Sequence, residues 1–352
     1  MASILAPALR KGEMTMRDGQ ESPKLSKWDM DALQEYPYTV TAADRQGNFW
    51  RLETNRGIKA FYRHEEKADR VAETHAMLEH LAERGFRRAS RFIRTRDGRP
   101  FAQRGPYTYV LTDWLPGRST DFQRDDDLRQ AARTLAAIHW SGAGFHGGGE
   151  KDAQKVSRLL KTLADRREAL QWYRQLAQMK RQTSEVDRLL KEWGPEFEQK
   201  ATRALRRVAD TMVKPSGEAG WTICHRDWRE GNLHLDGARL AVTGWDSCGP
   251  DLPAAELAQF LRRVADARGR WDVESGMQII DAYRETGNLG TGDRELLVGL
   301  LEFPQRFWSL VAGHYRGAGE PSTPELLRRE IAEEAGRQDF VASLERHLGT
   351  GN

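Results

Sequence analysis

Along the first third of the chain apolar and polar positions alternate with period two, and along most of the rest they repeat with a helical period. Residues 38–41 and 49–54 predict two strands, Asn55-Arg56-Gly57 is a turn signal, and residues 58–63 alternate as a third strand of a meander. A short helix at 28–33 precedes them. From Glu65 to about Arg84, Ala68, Val71, Leu78, Leu81 and Ala82 fall at helical spacing, and Gly85 closes the segment. Residues 92–95, a turn at Asp97-Gly98 and residues 107–115 complete a small sheet, which Pro116-Gly117 breaks. Residues 1–26 are rich in Gly, Ser, Pro, Met and charge, have no apolar period, and read as a disordered tail.

Beyond the sheet the pattern is mainly helical. Residues 125–140 place Leu128, Ala132, Leu135, Ala136 and Ile138 on one face, and residues 142–149 form a glycine-rich linker. Four amphipathic segments follow, around Val156–Leu163, Leu170–Leu176, Val186–Trp193 and Leu205–Met212, and further helices are expected at 254–267, 273–286, 294–311 and 324–345. One strand-bearing segment interrupts them: 221–224 enters, 233–235 leaves, Asp236-Gly237 turns, and 239–242 returns. The pattern predicts an α+β chain with a tail at 1–26, a sheet-bearing lobe at 27–117 and a helical lobe at 118–348.

A chain of 352 residues, 39% hydrophobic and 30% charged, buries a large core and has the length of two lobes. Its net charge of +3 comes from interspersed Arg and Lys, so runs such as Arg87-Arg88 and Arg206-Arg207 read as solvated faces and nucleic acid is not expected as a partner. No apolar run approaches the roughly 20 residues of a membrane span, and the start lacks the basic region of a secretion signal, so a cytoplasmic, membrane-free protein is expected. The two cysteines, Cys224 and Cys248, exclude a disulfide framework. Without a paired C-x2-C or H-x3-H signature they read as buried thiols rather than zinc ligands.

The chemistry concentrates in His225-Arg226-Asp227-Trp228-Arg229-Glu230-Gly231-Asn232 and in Thr243-Gly244-Trp245-Asp246. The spacing His-x-Asp-x4-Asn puts a carboxylate and an amide on one short loop between strands. There the carboxylate can accept a hydroxyl proton and the amide can hold a cation beside nucleotide phosphates.

These residues resemble the aminoglycoside phosphotransferase and choline kinase superfamily, and Trp245-Asp246-Ser247-Cys248-Gly249-Pro250-Asp251-Leu252-Pro253 with Glu256-Leu257 resembles the spore coat protein S family of kinase-like proteins. The resemblance runs from about Tyr38 to Leu348. It implies a bilobal protein-kinase-like fold, with ATP and Mg2+ as cofactors if the protein is active. Asp227 would be the base, His225 a support for the loop, and Asn232 a metal and nucleotide ligand. Asp113 and Leu115 would lie at the adenine hinge, and Glu73 or Glu79 would be the helix glutamate that pairs with a strand lysine. His139 would be structural. The chain departs from the pattern at three places. Tyr62 stands where the lysine belongs, with Lys59 on the opposite face unless a bulge shifts the register. Residues 42–48 offer the single Gly47 to cover phosphates. Gly244 replaces the first metal aspartate, which leaves Asp246 as the replacement ligand, and an aspartate restored at 244 is expected to add the missing ligand across the phosphate site from Asn232. Two expectations follow. One is a degenerate kinase-fold protein of the spore coat type, in the mother-cell cytoplasm or coat, with spore coat proteins as partners. The other is an active phosphotransferase for a small hydroxyl-bearing molecule, a sugar, amino sugar or amino alcohol.

Overall fold

The computed structural model describes residues 24–65, 67–145, 152–213, 220–317 and 323–349. The expected tail, apart from 24–26, and the second half of the glycine-rich linker, residues 146–149, lie outside these residues. Helix α1 (Lys27–Leu33) starts on a capping box, in which Ser26 and Asp29 satisfy each other's backbone amides. It covers one face of an antiparallel sheet of β1 (Val40–Gln46), β2 (Phe49–Thr54), β3 (Gly57–His64), β4 (Ala102–Arg104) and β5 (Tyr107–Asp113), in the order β1-β2-β3-β5-β4. Trp50, Leu52, Phe61, Tyr109 and Leu111 bury that face against Ala32 and Tyr36. Because side chains alternate along a strand, Ala60, Tyr62 and His64 of β3 take the opposite face.

The strand expected at 92–95 is absent. Phe92 bridges Thr112 and Ile93 donates its amide to Leu111 O at 2.7 Å, but the pairing ends there, since Thr95 donates its amide to Arg99 O at 2.8 Å across a turn, and the edge strand is β4. Helix α2 (Ala68–Glu83) buries Met77, Leu78 and Leu81 in the core of the second lobe, so it belongs energetically to both.

The second lobe contains β6 (Arg118–Ser119), α3 (Asp125–Gly142), α4 (Asp152–Met179), α5 (Glu185–Val213), β7 (Thr222–Cys224), β8 (Leu233–Asp236), β9 (Arg239–Val242), β10 (Gly249–Asp251), α6 (Pro253–Arg268), α7 (Val273–Arg284), α8 (Thr291–Glu302), α9 (Gln305–Arg316) and α10 (Pro324–Gly349). The four amphipathic segments are two long helices. Helix α5 runs through Pro195, because Leu190, Phe197 and Ala201 are buried along it and Phe197 stacks on Phe307 of α9 at 3.7 Å, packing that outweighs one lost backbone bond. The single helix expected at 294–311 is broken, since Pro304 cannot donate to the preceding turn and α8 ends at Glu302. Among the described residues no helix is long and apolar enough to cross a membrane.

Two small ladders hold the chemically interesting loops. β7 pairs antiparallel with β10, and β8 pairs with β9 from Leu233↔Val242 to Asp236↔Arg239, so loops 225–232 and 243–248 lie side by side. Helix α3 backs them closely. Thr222 Oγ1 donates to His139 O at 2.6 Å, and a Cβ on Gly142 would lie 2.7 Å from Thr222 Oγ1 and 2.8 Å from the Ile223 backbone. Gly142→Ala is therefore expected to cost about 1–3 kcal/mol in a urea titration. Gly336→Ala in α10, where a Cβ meets nothing within 4 Å, should instead add about 0.5–1 kcal/mol.

Candidate functional site

The loop after β7 is held from beneath by one buried carboxylate. Glu256, on α6, accepts the amide of His225 at 3.0 Å through Oε2 and the amide of Arg226 through Oε1. His139 Nε2 donates to Oε2 at 2.9 Å, and Tyr283 OH donates to His139 Nδ1 at 2.7 Å. Burial alone would raise the Glu256 pKa, but the bond from His139 and the charges and amide around it hold it below the usual carboxylate value. The brace supports strain. Arg226 has φ 64°, the left-handed region that non-glycine residues avoid at a cost of about 1–3 kcal/mol. Its guanidinium is tied to Asp251 at 2.9 Å and to Pro250 O at 2.6 Å.

His225 is fully buried, and burial lowers its pKa, so the imidazole is neutral. Nε2 donates to Thr243 O at 2.7 Å, Nδ1 accepts the Asp227 amide at 3.2 Å, and the ring meets Trp228 and Trp245 edge-on. It thus links the two loops directly.

Asp227 carries the reactive type of side chain, and it is encircled. Oδ2 accepts from Arg229 Nε at 2.7 Å and from Asn232 Nδ2 at 2.8 Å, while Oδ1 accepts from Arg263 Nη2 at 3.1 Å. Burial would raise its pKa, but the bonds and charges of Arg229 and Arg263 outweigh burial and lower it. A carboxylate has about four acceptor positions, so Asp227 remains ionised with little acceptor capacity left for a substrate hydroxyl.

Asn232 is buried and also donates to Asp227 O at 2.9 Å. Its side chain lies against Gly244, whose φ is 73°. A Cβ there would sit 2.5 Å from Asn232 Oδ1 and 2.6 Å from its Cγ. The sequence placed Asn232 and position 244 across a phosphate site; the structure puts them in contact. Asp246 is half exposed and lies 3.7 Å from His64 Nδ1, on the side of the sheet lobe.

The remaining expected groups are engaged elsewhere. Lys59 Nζ donates to Asp113 Oδ1 at 2.6 Å and to Arg56 O at 2.9 Å, and β3 pairs in regular register with β2 and β5, with no bulge to turn the lysine toward the cleft. Asp113 is thereby tied to Lys59, and half-buried Leu115 follows it. Glu73 accepts from Arg70 at 3.0 Å and Glu79 from Arg91 at 2.7 Å. Tyr62 occupies the cleft face, its hydroxyl pKa pushed up to about 12 by burial and then by the charge of Asp246.

Arg70, Arg229 and Arg263 border the two loops, and sequence reasoning did not single them out. Arg70 Nη2 donates to Asp246 O at 3.0 Å and to Cys248 O, joining α2 to the second loop. Arg229 lies inside the quoted loop, but Arg263 comes from α6 and no local pattern marks it. Among the described residues, His139, Cys224 and Glu256 are the group of three His, Cys, Asp or Glu side chains near enough to share an ion. All three are buried in the brace, with Cys224 Sγ 3.6 Å from His139 Nε2 and burial raising its thiol pKa well above the usual value. Position 244 carries no carboxylate, a Cβ there would press on the Asn232 side chain, and Lys59 is turned to Asp113, so the described residues do not offer the ligand set expected for a magnesium–triphosphate group.

Glu256→Ala strands His139 and two amides, and should cost about 3–5 kcal/mol in a denaturant titration. Asp227 has a depressed folded pKa, so its ion pairs stabilise the fold above the unfolded value of about 3.9 and the contribution is lost as pH falls through the lower folded value. The stability gap between wild type and Arg263→Ala should therefore be constant at neutral pH and close in acid.

Residues 40–294 match the family model of the phosphotransferase enzyme family. An aminoglycoside phosphotransferase from Alicyclobacillus acidocaldarius superposes with a TM-score of 0.83 at 22% identity, covering 94% of this chain and 98% of that one. A spectinomycin phosphotransferase in complex with ADP and spectinomycin gives 0.53 at 12% identity, covering 90% and 95%. A choline kinase from Cryptosporidium parvum gives 0.51 at 10%, covering 90% and 96%. At these identities the likeness is one of fold, a small antiparallel-sheet lobe on a mostly helical lobe. With well over half of its residues inside the matched segment, this chain belongs to the phosphotransferase enzyme family.

Proposed function

We propose that this protein keeps the kinase fold without efficient phosphoryl transfer and serves as a structural or interaction component of the spore coat type. The observation that carries the reading is the contact between Asn232 and Gly244, which fills the space a metal-binding carboxylate would need. Transfer depends chiefly on charges that neutralise the migrating phosphate, and loss of one such group commonly costs about a hundredfold to a thousandfold in rate. Here the carboxylate at 244 and the lysine at 62 are both missing. The resemblance of residues 245–257 to the spore coat protein S family supports the coat assignment, with the mother-cell cytoplasm or the coat as its location and coat proteins as partners.

A second reading, an ATP- and magnesium-dependent phosphotransferase for a sugar, amino sugar or amino alcohol, is favoured by intact His225, Asp227 and Asn232. The two guanidinium groups beside Asp227 also favour it, although they converge on the carboxylate rather than on Asn232.

Phosphorus NMR of the protein with ATP, magnesium and a panel of such acceptors separates the two. The non-catalytic reading expects no phosphorylated product at stoichiometric enzyme, and steady accumulation of one would overturn it. Gly244→Asp should lower stability by about 1–3 kcal/mol, because the new Cβ must displace Asn232 from Asp227. Calorimetry of the variant should show no gain in magnesium-dependent ATP binding, because Asn232 is pushed off its position beside Asp227.

A further inference from the structure

Four guanidinium groups gather where α4, α6, α9 and α10 surround the end of α8. Arg306 of α9 donates to Asp266 of α6 and lies 3.5 Å from Glu330 of α10. Arg337 of α10 binds both oxygens of Glu334, at 2.9 and 2.7 Å, and donates to Leu301 O. The other two hold only neutral partners. Arg262 of α6 donates to Leu300 O, while Arg166 of α4 donates to the Gln305 amide oxygen at 2.6 Å and lies over the Trp308 ring at 4.7 Å. Among the described residues neither Arg262 nor Arg166 forms an ion pair with a carboxylate.

Both side chains are half-buried and crowded by like charge. Burial, and then the charges of Arg337 and Arg166, push the Arg262 pKa down to about 10, and burial lowers that of Arg166. The acids of the junction do not balance them. Asp266 and Glu330 are taken by Arg306, and Glu334 is shared between Arg337 and Lys200, which Glu196 also binds. Burial lifts the Glu330 carboxyl to about 7, so near neutral pH it carries only part of a charge. The carbonyl end of α8 adds about half a negative charge, which Arg262 and Arg337 share. A half-buried cation is unfavourable without a counter-charge, and the planar fork of a guanidinium fits a carboxylate or a phosphate.

We propose that Arg166 and Arg262 form a binding site for a small anion, the carboxylate or phosphate group of an organic ligand, gripped between α4 and α6 without a metal ion. The site is distinct from the first loop: Arg263 turns to Asp227, whereas Arg262, its neighbour in the chain, turns to α8. It goes beyond both readings of the cleft and depends on neither.

Calorimetry on the full chain in Tris chloride, free of ATP and metal, with glucose 6-phosphate, gluconate and glucose tests it. Glucose 6-phosphate or gluconate should bind and glucose should not, and the anion that binds tells phosphate from carboxylate. Since hydrogen bonds between charged groups are the strong ones, Arg166→Gln and Arg262→Gln should each weaken binding about tenfold or more. Arg229→Gln should bind like wild type, and loss of binding there would put the anion beside Asp227 and overturn the assignment. Glu330→Gln removes a competing carboxylate and keeps every arginine, so it should tighten binding severalfold, which covers the case of an arginine variant that does not fold. Failure of both anions to bind, equal binding of glucose, wild-type affinity in both Arg166→Gln and Arg262→Gln, or weaker binding in Glu330→Gln overturns the proposal.

Discussion

The carboxylate of Glu256 fixes the shape of loop 225–232, and most of the site depends on it. Two backbone amides, His225 and Arg226, end on this one side chain, and the second of them belongs to a residue held in a left-handed conformation. That conformation costs free energy that only a well-placed acceptor offsets inside a protein. Because Glu256 is bound in turn by His139, and His139 by Tyr283, the loop rests on α3, α6 and α7 together. Asp227 and Asn232 inherit their positions from this chain of bonds, as does neutral His225, which carries the same support across to Thr243.

With the loop so placed, the character of the cleft is decided by what faces it. Asn232 turns its amide to Asp227 and its flank to Gly244, so the two loops close on each other there. On the sheet side Tyr62, and not the strand lysine, faces the cleft. Lys59 is committed to Asp113, and one bridge between the lobes is Arg70, which binds Glu73 on its own helix and two carbonyls of the second loop. Protein-to-protein bonds thus join the two lobes at this cleft.

Much of this was legible in the sequence for identifiable reasons. Period-two alternation placed β2 and β3, and the same alternation put Lys59 and Tyr62 on opposite faces, as the ladder shows. The Asp236-Gly237 turn located the β8–β9 hairpin and so brought loops 225–232 and 243–248 together. Other features were hidden because they are tertiary. Residues 92–95 have strand composition but pair with β5 only at Phe92 and Ile93 before a turn closed by Arg99, and the run from 294 to 311 keeps its apolar period across Pro304 although the helix does not. Arg70 and Arg263 reach the site from helices distant in sequence, where one more arginine on a charged face carries no signal. The contact at Gly244 needed coordinates. The sequence shows that a carboxylate is absent there, but not that Asn232 has taken its space.

The central claim is that the site holds no nucleotide-bound divalent ion, and electron paramagnetic resonance of Mn2+ titrated into the protein with ATP addresses it directly. The account predicts only the spectra of free Mn2+ and of its ATP complex, unchanged by adding protein. A distinct protein-bound Mn2+ signal that appears with ATP and disappears in Asn232→Ala would contradict it.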